Sequence, residues 1–184
     1  TIEMKNIFII STILLSSIAV QAQLAIGKDD VSSPAVSLEF GDQNKGLLLP
    51  WVDNTSTVDA NGAVNGTIIF DMEEMKVKVK YDSGWKDLSI EEGTTINPLT
   101  NQDGLDLQSS LTESESAKVS IGTPTSTNGI LVLEDTDKAM VLPKVETPHE
   151  NIINPSPGLM VFDPVTKELA VFNGEVWTYW TTTE

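Results

Sequence analysis

One pattern is written twice along this chain, and that duplication constrains the fold more than any other feature. Ile26-Gly27 corresponds to Ile121-Gly122. Leu38, Phe40, Leu47, Leu48, Leu49 and Pro50 correspond, at a constant offset, to Leu131, Leu133, Met140, Val141, Leu142 and Pro143. After a loop of variable length, Gly66, Phe70, Asp71 and Trp85 are matched by Gly158, Phe162, Asp163 and Trp177. Agreement in order and spacing over roughly sixty residues marks an ancestral duplication.

Each copy reads as β-structure. VSLEF (36–40) and ILVL (130–133) are strand-length apolar runs, followed by the turn-rich DQNK (42–45) and EDTDK (134–138). GLLLP (46–50) and AMVLP (139–143) form a second run, closed by a proline that cannot donate to a ladder. A polar loop leads to a three-strand meander at 66–88 and again at 158–180. The second meander turns first at Asp163-Pro164-Val165-Thr166-Lys167 and then at Asn173-Gly174, a dipeptide suited to a type I′ hairpin. The mature chain shows no convincing helical period, apart from a weak indication over 105–116. The expected fold is therefore all-β: two duplicated antiparallel units, each ending in a meander, joined by a polar linker. The expected boundaries are repeat 1 at 23–88, the linker at 89–119 and repeat 2 at 120–184.

The two meanders differ in their faces. KVKVKY (76–81) alternates Val77, Val79 and Tyr81 against Lys76, Lys78 and Lys80, predicting one wet face. In the second copy, GLMVF (158–162) and ELAVF (168–172) are apolar on both sides. The alternation sets Met160, Ala170 and Phe172 opposite Leu159, Leu169 and Val171. An isolated meander is marginal in water, so both faces need cover, from the other copy in a sandwich or from another molecule. Contact between subunits is the favoured expectation, with Met160, Phe172, Tyr179 and Trp180 as its self-association residues.

The ends and the composition narrow the compartment and the partners. Met4-Lys5 followed by the uncharged run 7–20 and Val20-Gln21-Ala22 has the form of a secretory signal at 1–22, with residues 1–3 upstream of the start and cleavage before Gln23. No Cys follows the apolar run, which excludes a lipid-anchored lipoprotein, and no membrane insertion is expected after cleavage. A mature chain of about 160 residues suffices for one domain or two small ones. It has no cysteine, so it holds together by packing or by subunit contacts, and thiolate metal sites are excluded. The net charge is −16 and every basic residue is Lys, which argues against a nucleic-acid partner and an anionic membrane face.

Little in the chain suggests chemistry. His149 is the only histidine and no G-x-S-x-G elbow accompanies it, so neither a triad nor a zinc site can be assembled. Paired-acid glycoside chemistry needs a cleft that the turn-bound acids do not suggest. No enzyme activity and no cofactor are expected. Calcium is the one ion to consider, through Asp53, Asp59 and Asn61 or through Asp103 and Asp106, although neither set has EF-hand spacing. Trp85 and Trp177 recur in both copies and suit a packing role. Trp51, Tyr179 and Trp180 are unrepeated and better suited to outside contacts. Trp51, Lys76, Lys78 and Lys80 form a candidate surface contact, the lysines either docking an acidic surface or blunting an exposed edge.

At these residues the chain resembles secreted surface proteins of Bacteroidota, flavobacteria especially. Their repeats run from a GIGT-like segment through a leucine-rich LLPRV to NPxxGxxVYDxxTKxLxVYNGxxW. The counterparts here are Ile121-Gly122-Thr123, 129–133, Val141-Leu142-Pro143-Lys144-Val145, Asn154-Pro155, Gly158, Phe162-Asp163, Thr166-Lys167, Phe172-Asn173-Gly174 and Trp177. The first copy fits more loosely, with Trp51 in place of the usual Arg and a shortened turn at Asp82-Ser83-Gly84. The resemblance spans nearly the whole mature chain and extends to tail-fibre-like and adhesin-like proteins. It implies a location outside a Gram-negative cell and a structural or adhesive role. The expected function is a non-enzymatic, self-associating subunit of a fibre, filament or matrix, a homo-oligomer. The alternative is a monomeric adhesin module that binds a cell-surface polysaccharide.

Overall fold

The computed structural model describes residues 23–97, 99–108, 114, 117–123 and 126–181. The expected signal sequence at 1–22 lies outside these residues, as does most of the 105–116 segment. The described chain is all-β, with thirteen short strands and three helices of four to six residues. None of these helices is long and apolar enough to cross a membrane.

Both expected meanders form. In copy 1, β5 (Ile68–Asp71), β6 (Lys76–Tyr81) and β7 (Gly84–Asp87) are antiparallel, with β4 (Trp51–Val52) added in parallel beside β5. In copy 2, β11 (Leu159–Asp163), β12 (Glu168–Phe172) and β13 (Trp177–Trp180) repeat that order. The repetition reaches single hydrogen bonds. Buried Asp71 accepts backbone N–H groups from Glu73 and Glu74 through Oδ1, at 2.9 and 3.0 Å, and from Thr55 through Oδ2 at 3.2 Å. Buried Asp163 accepts from Val165 and Thr166 through Oδ1, at 2.8 and 3.4 Å, and from Thr147 through Oδ2 at 3.1 Å. One carboxylate thus satisfies the donors of a tight turn and pins the preceding loop to it. The Phe70 N–H binds Pro50 O and the Phe162 N–H binds Pro143 O, both at 2.9 Å. These are the same bond twice.

The openings of the copies depart from the antiparallel expectation. β1 (Leu24–Ile26) pairs in parallel with β2 (Val36–Phe40), and β8 (Val119–Gly122) pairs in parallel with β9 (Leu131–Glu134). The second runs leave their own copy altogether. β3 (Leu47–Leu48) joins β11 of copy 2, giving the order β13-β12-β11-β3. β10 (Ala139–Val141) joins β2 of copy 1, giving β1-β2-β10. The turn-rich segments after β2 and β9 therefore close no hairpin. Apolar alternation identifies strands but carries no information about partner or direction.

Two cores result, one on each face of the second meander. Met160 and Val171 meet Phe70, Val77 and Leu49 between the two meanders. Leu159, Val161, Ala170 and Phe172 pack on Val145 and Ile152 of the returning loop, with Trp177 and Tyr179 against them. The register corrects the grouping expected from alternation. Leu159 stands opposite Phe172 and Met160 opposite Val171, so odd residues of β11 share a face with even residues of β12. Met160 and Phe172 consequently belong to different faces, and the chain covers both faces itself.

The start of the expected linker is likewise engaged. The Trp180 indole donates to Leu88 O at 2.7 Å and Asn173 Nδ2 donates to Glu91 O at 2.8 Å. The Thr94 N–H returns a bond to Asn173 O at 3.1 Å. Residues 88–94 form a strap over the end of the second meander. The approach is close enough that a Cβ on Gly93 would lie 1.7 Å from Asn173 O, and one on Gly174 1.8 Å from Thr94 O.

Candidate self-association surface

The lysine stripe of β6 is held by the chain's own acids. Lys76 reaches Asp87 at 2.9 Å, Lys78 reaches Glu74 at 2.8 Å and Asp87 at 3.1 Å, and Lys80 reaches Asp59 at 2.6 Å. Lys78 is buried, so this face is drier than alternation predicts. Asp59 belongs to α1 (Thr55–Ala60), which is capped by Asn54 Oδ1 accepting from the Thr57 N–H at 2.9 Å. The Lys80 hydrogen bond depresses the Asp59 carboxyl. Burial pushes Lys78 down, but the bonds to Glu74 and Asp87 outweigh it and leave its ammonium raised.

The aromatic candidates also have partners inside the chain. Trp51 tilts against Phe70 with centroids 5.6 Å apart and donates its indole N–H to Pro157 O at 2.7 Å. The Tyr179 hydroxyl lies 3.0 Å from His149 Nδ1. Trp180 is bound to Leu88 and lies beneath Lys86, whose Nζ is 4.9 Å from the ring centroid. Met160 and Phe172 lie in the two cores, so an assembly contact through either would require opening a core. Among the described residues, His149 has Glu150 as its nearest acid, at 3.8 Å, and no serine hydroxyl is bonded to it. Among the described residues no group of three or more His, Cys, Asp or Glu side chains could hold a metal ion. Of the calcium candidates, Asp59 binds Lys80 and the Trp85 indole, and Asp103 accepts from Thr95 Oγ1 and the Leu105 N–H.

Large apolar side chains reach solvent at Ile90, Leu99, Ile153 and Val165, and also on and beside the parallel strands. Leu24, Ile26, Val119, Ile130 and Leu131 are exposed, as is Leu48 at the end of the second-meander sheet. Of the apolar residues in β1, β2, β8, β9 and β10, only Val36, Leu38 and Ile121 are buried. Parallel strands normally have both faces covered, and a concentration of exposed apolar residues marks an interaction surface. The contact expected from the sequence lies at the second meander, and these exposed strands are a separate surface. Their sequence signal is the uninterrupted character of LLL and ILVL, which the pattern identifies only as strand-length apolar runs.

One acid at this end is firmly paired. Lys28 meets Glu39 of β2 at 2.8 Å, and Ser32 N–H reaches the same carboxylate at 2.6 Å. The Lys28 bond and then the Ser32 bond hold the Glu39 carboxyl at about 2, against an ordinary 4.5. A depressed folded value contributes stability above pH 4.5, and that contribution is lost as pH falls from 4.5 towards 2. Urea midpoints should therefore fall between pH 5 and pH 3, and Glu39→Gln should fall less over that interval. An equal acid loss in the variant would remove Glu39 from this role.

No curated protein and no solved structure matches this chain. Residues 120–184, the whole of the second copy, match the family model described as a phage tail like trimerisation region.

Proposed function

We propose that this chain is a non-enzymatic structural subunit that self-associates, as a homotrimer, within a fibre or filament outside a Gram-negative cell. The observation that carries this reading is the match of the second copy to a trimerisation region. The apolar residues left open on the parallel strands give the same reading a physical surface. Export is supported by the basic start and uncharged run of residues 4–22. Catalysis has no support in the geometry of the described residues: the lone His149 contacts a tyrosine, Asp71 and Asp163 hold turns, and Asp59 and Asp87 bind lysines. The alternative of a monomeric polysaccharide-binding module calls for an open aromatic platform. Trp51, Tyr179 and Trp180 instead have their polar atoms bonded within the chain.

The native mass of the secreted protein tests the proposal. Sedimentation equilibrium at micromolar concentration should return three times the mass of a chain starting at Gln23. A stable monomer would end the assembly reading.

A further inference from the structure

We propose that the open edge of β9 receives β3 from a second copy of this chain, so that Leu47–Leu48 of one subunit extends the β8–β9 ladder of the next. The inference rests on the self-association reading above and names its contact.

The duplication supplies the argument. β2 and β3 of copy 1 correspond to β9 and β10 of copy 2 through the offset that relates Leu38 to Leu131 and Leu47 to Met140, and β1 corresponds to β8 through Ile26-Gly27 and Ile121-Gly122. The copy 1 ladder has three strands, β1-β2-β10, while its counterpart stops at β8-β9 among the described residues. The edge beside β9 is thus the equivalent of the edge that β10 occupies beside β2. Burial records the difference. Leu38, flanked on both sides, is 1 % exposed, whereas its counterpart Leu131 is 39 % exposed.

The strand that belongs in this position is the counterpart of β10, which is β3. Within its own chain β3 lies at the end of the order β13-β12-β11-β3, so its second edge is also a sheet edge among the described residues. Leu48 is 51 % exposed there. Each subunit therefore carries one donor edge and one acceptor edge, both apolar, and an open edge of this kind is a template for another strand. Transferring the observed pairs Met140↔Leu38 and Val141↔Glu39 gives Leu47 opposite Leu131 and Leu48 opposite Val132. None of these four side chains is charged, so two strongly acidic copies can meet here without placing like charges face to face. A donor-to-acceptor contact is heterologous, and three such contacts close a ring if the rotation between subunits permits it.

The absence of cysteine makes the test clean. Neighbouring strands lie about 4.8 Å apart, within reach of a disulfide. Single variants Leu48→Cys and Val132→Cys, mixed and oxidised, should form a disulfide heterodimer, and the double variant should yield a covalent trimer on a denaturing gel. Leu131→Asp should weaken association about tenfold or more, while the unfolding temperature of the isolated subunit stays unchanged. A wild-type monomer would defeat the self-association reading itself. A trimer that forms no Leu48→Cys to Val132→Cys link would leave that reading standing and overturn this contact. Preferential linkage of Val132→Cys to Val141→Cys would also overturn it, by identifying β10 as the occupant.

Discussion

Phe172→Asp is expected to unfold the protein rather than to separate intact subunits. Phe172 is 8 % exposed, packed with Leu159 and Ile152 and 5.2 Å from the Trp177 ring centroid. Truncating such a ring costs about 3–5 kcal/mol, and placing a carboxylate in the resulting cavity adds about 1–3 kcal/mol or more. The sum approaches the net stability of a small domain, about 5–15 kcal/mol. The damage extends to copy 1, because Val171, the adjacent residue of β12, packs in the other core with Phe70 and Val77. Near-ultraviolet circular dichroism should therefore lose the signals of both copies together, in one transition with the far-ultraviolet signal. A folded monomeric Phe172→Asp with native tryptophan signals would show that this face is external and that the register argument fails.

Asp163→Ala should lower the unfolding free energy by about 3–5 kcal/mol. Three backbone N–H groups lose a charged acceptor, each such bond contributing about 1.5–3 kcal/mol, and exposed Val165 and Thr166 recover part of that from water. Asp163→Asn keeps an acceptor oxygen and should cost about 1–2 kcal/mol. Asp71→Ala should match Asp163→Ala, since the same three bonds recur around it. Urea unfolding followed by tryptophan fluorescence measures all three. A loss below about 1 kcal/mol for both alanine variants would mean that the turns hold without their carboxylates, contrary to the desolvation argument.

Several of these devices were legible as residues before they were legible as contacts. The repeated Phe-Asp at 70–71 and 162–163 identified matching turns, and the structure adds that each Asp holds the loop before it as well. The Lys76, Lys78, Lys80 alternation correctly identified one face of β6. It could not reveal that Asp59 and Asp87, distant in sequence from part of that stripe, neutralise it. Residues 89–94 of the strap fall in the expected linker because the strap's bonds are mainly to its backbone atoms, which leave no trace in side-chain patterning.

What the sequence determined alone has a short range: the duplication, the two meanders and the turn at 163–167. The expected two-residue hairpin at Asn173-Gly174 is instead a four-residue loop, with Phe172 paired to Trp177 and Asn173 Oδ1 accepting from the Glu175 and Val176 N–H groups. Strand period and turn preference act over a few residues, so they can be read from a few residues. The tertiary structure decided which strands pair across the copies, that β1–β2 and β8–β9 run parallel, and that both faces of the second meander are covered from within. It also buried Phe172 and left apolar surface elsewhere, Leu48 and Leu131 among it. Those outcomes depend on register between distant segments. A single-residue shift of β12 against β11 would exchange its buried sets, and no local pattern in a strand apolar on both faces distinguishes the two alignments.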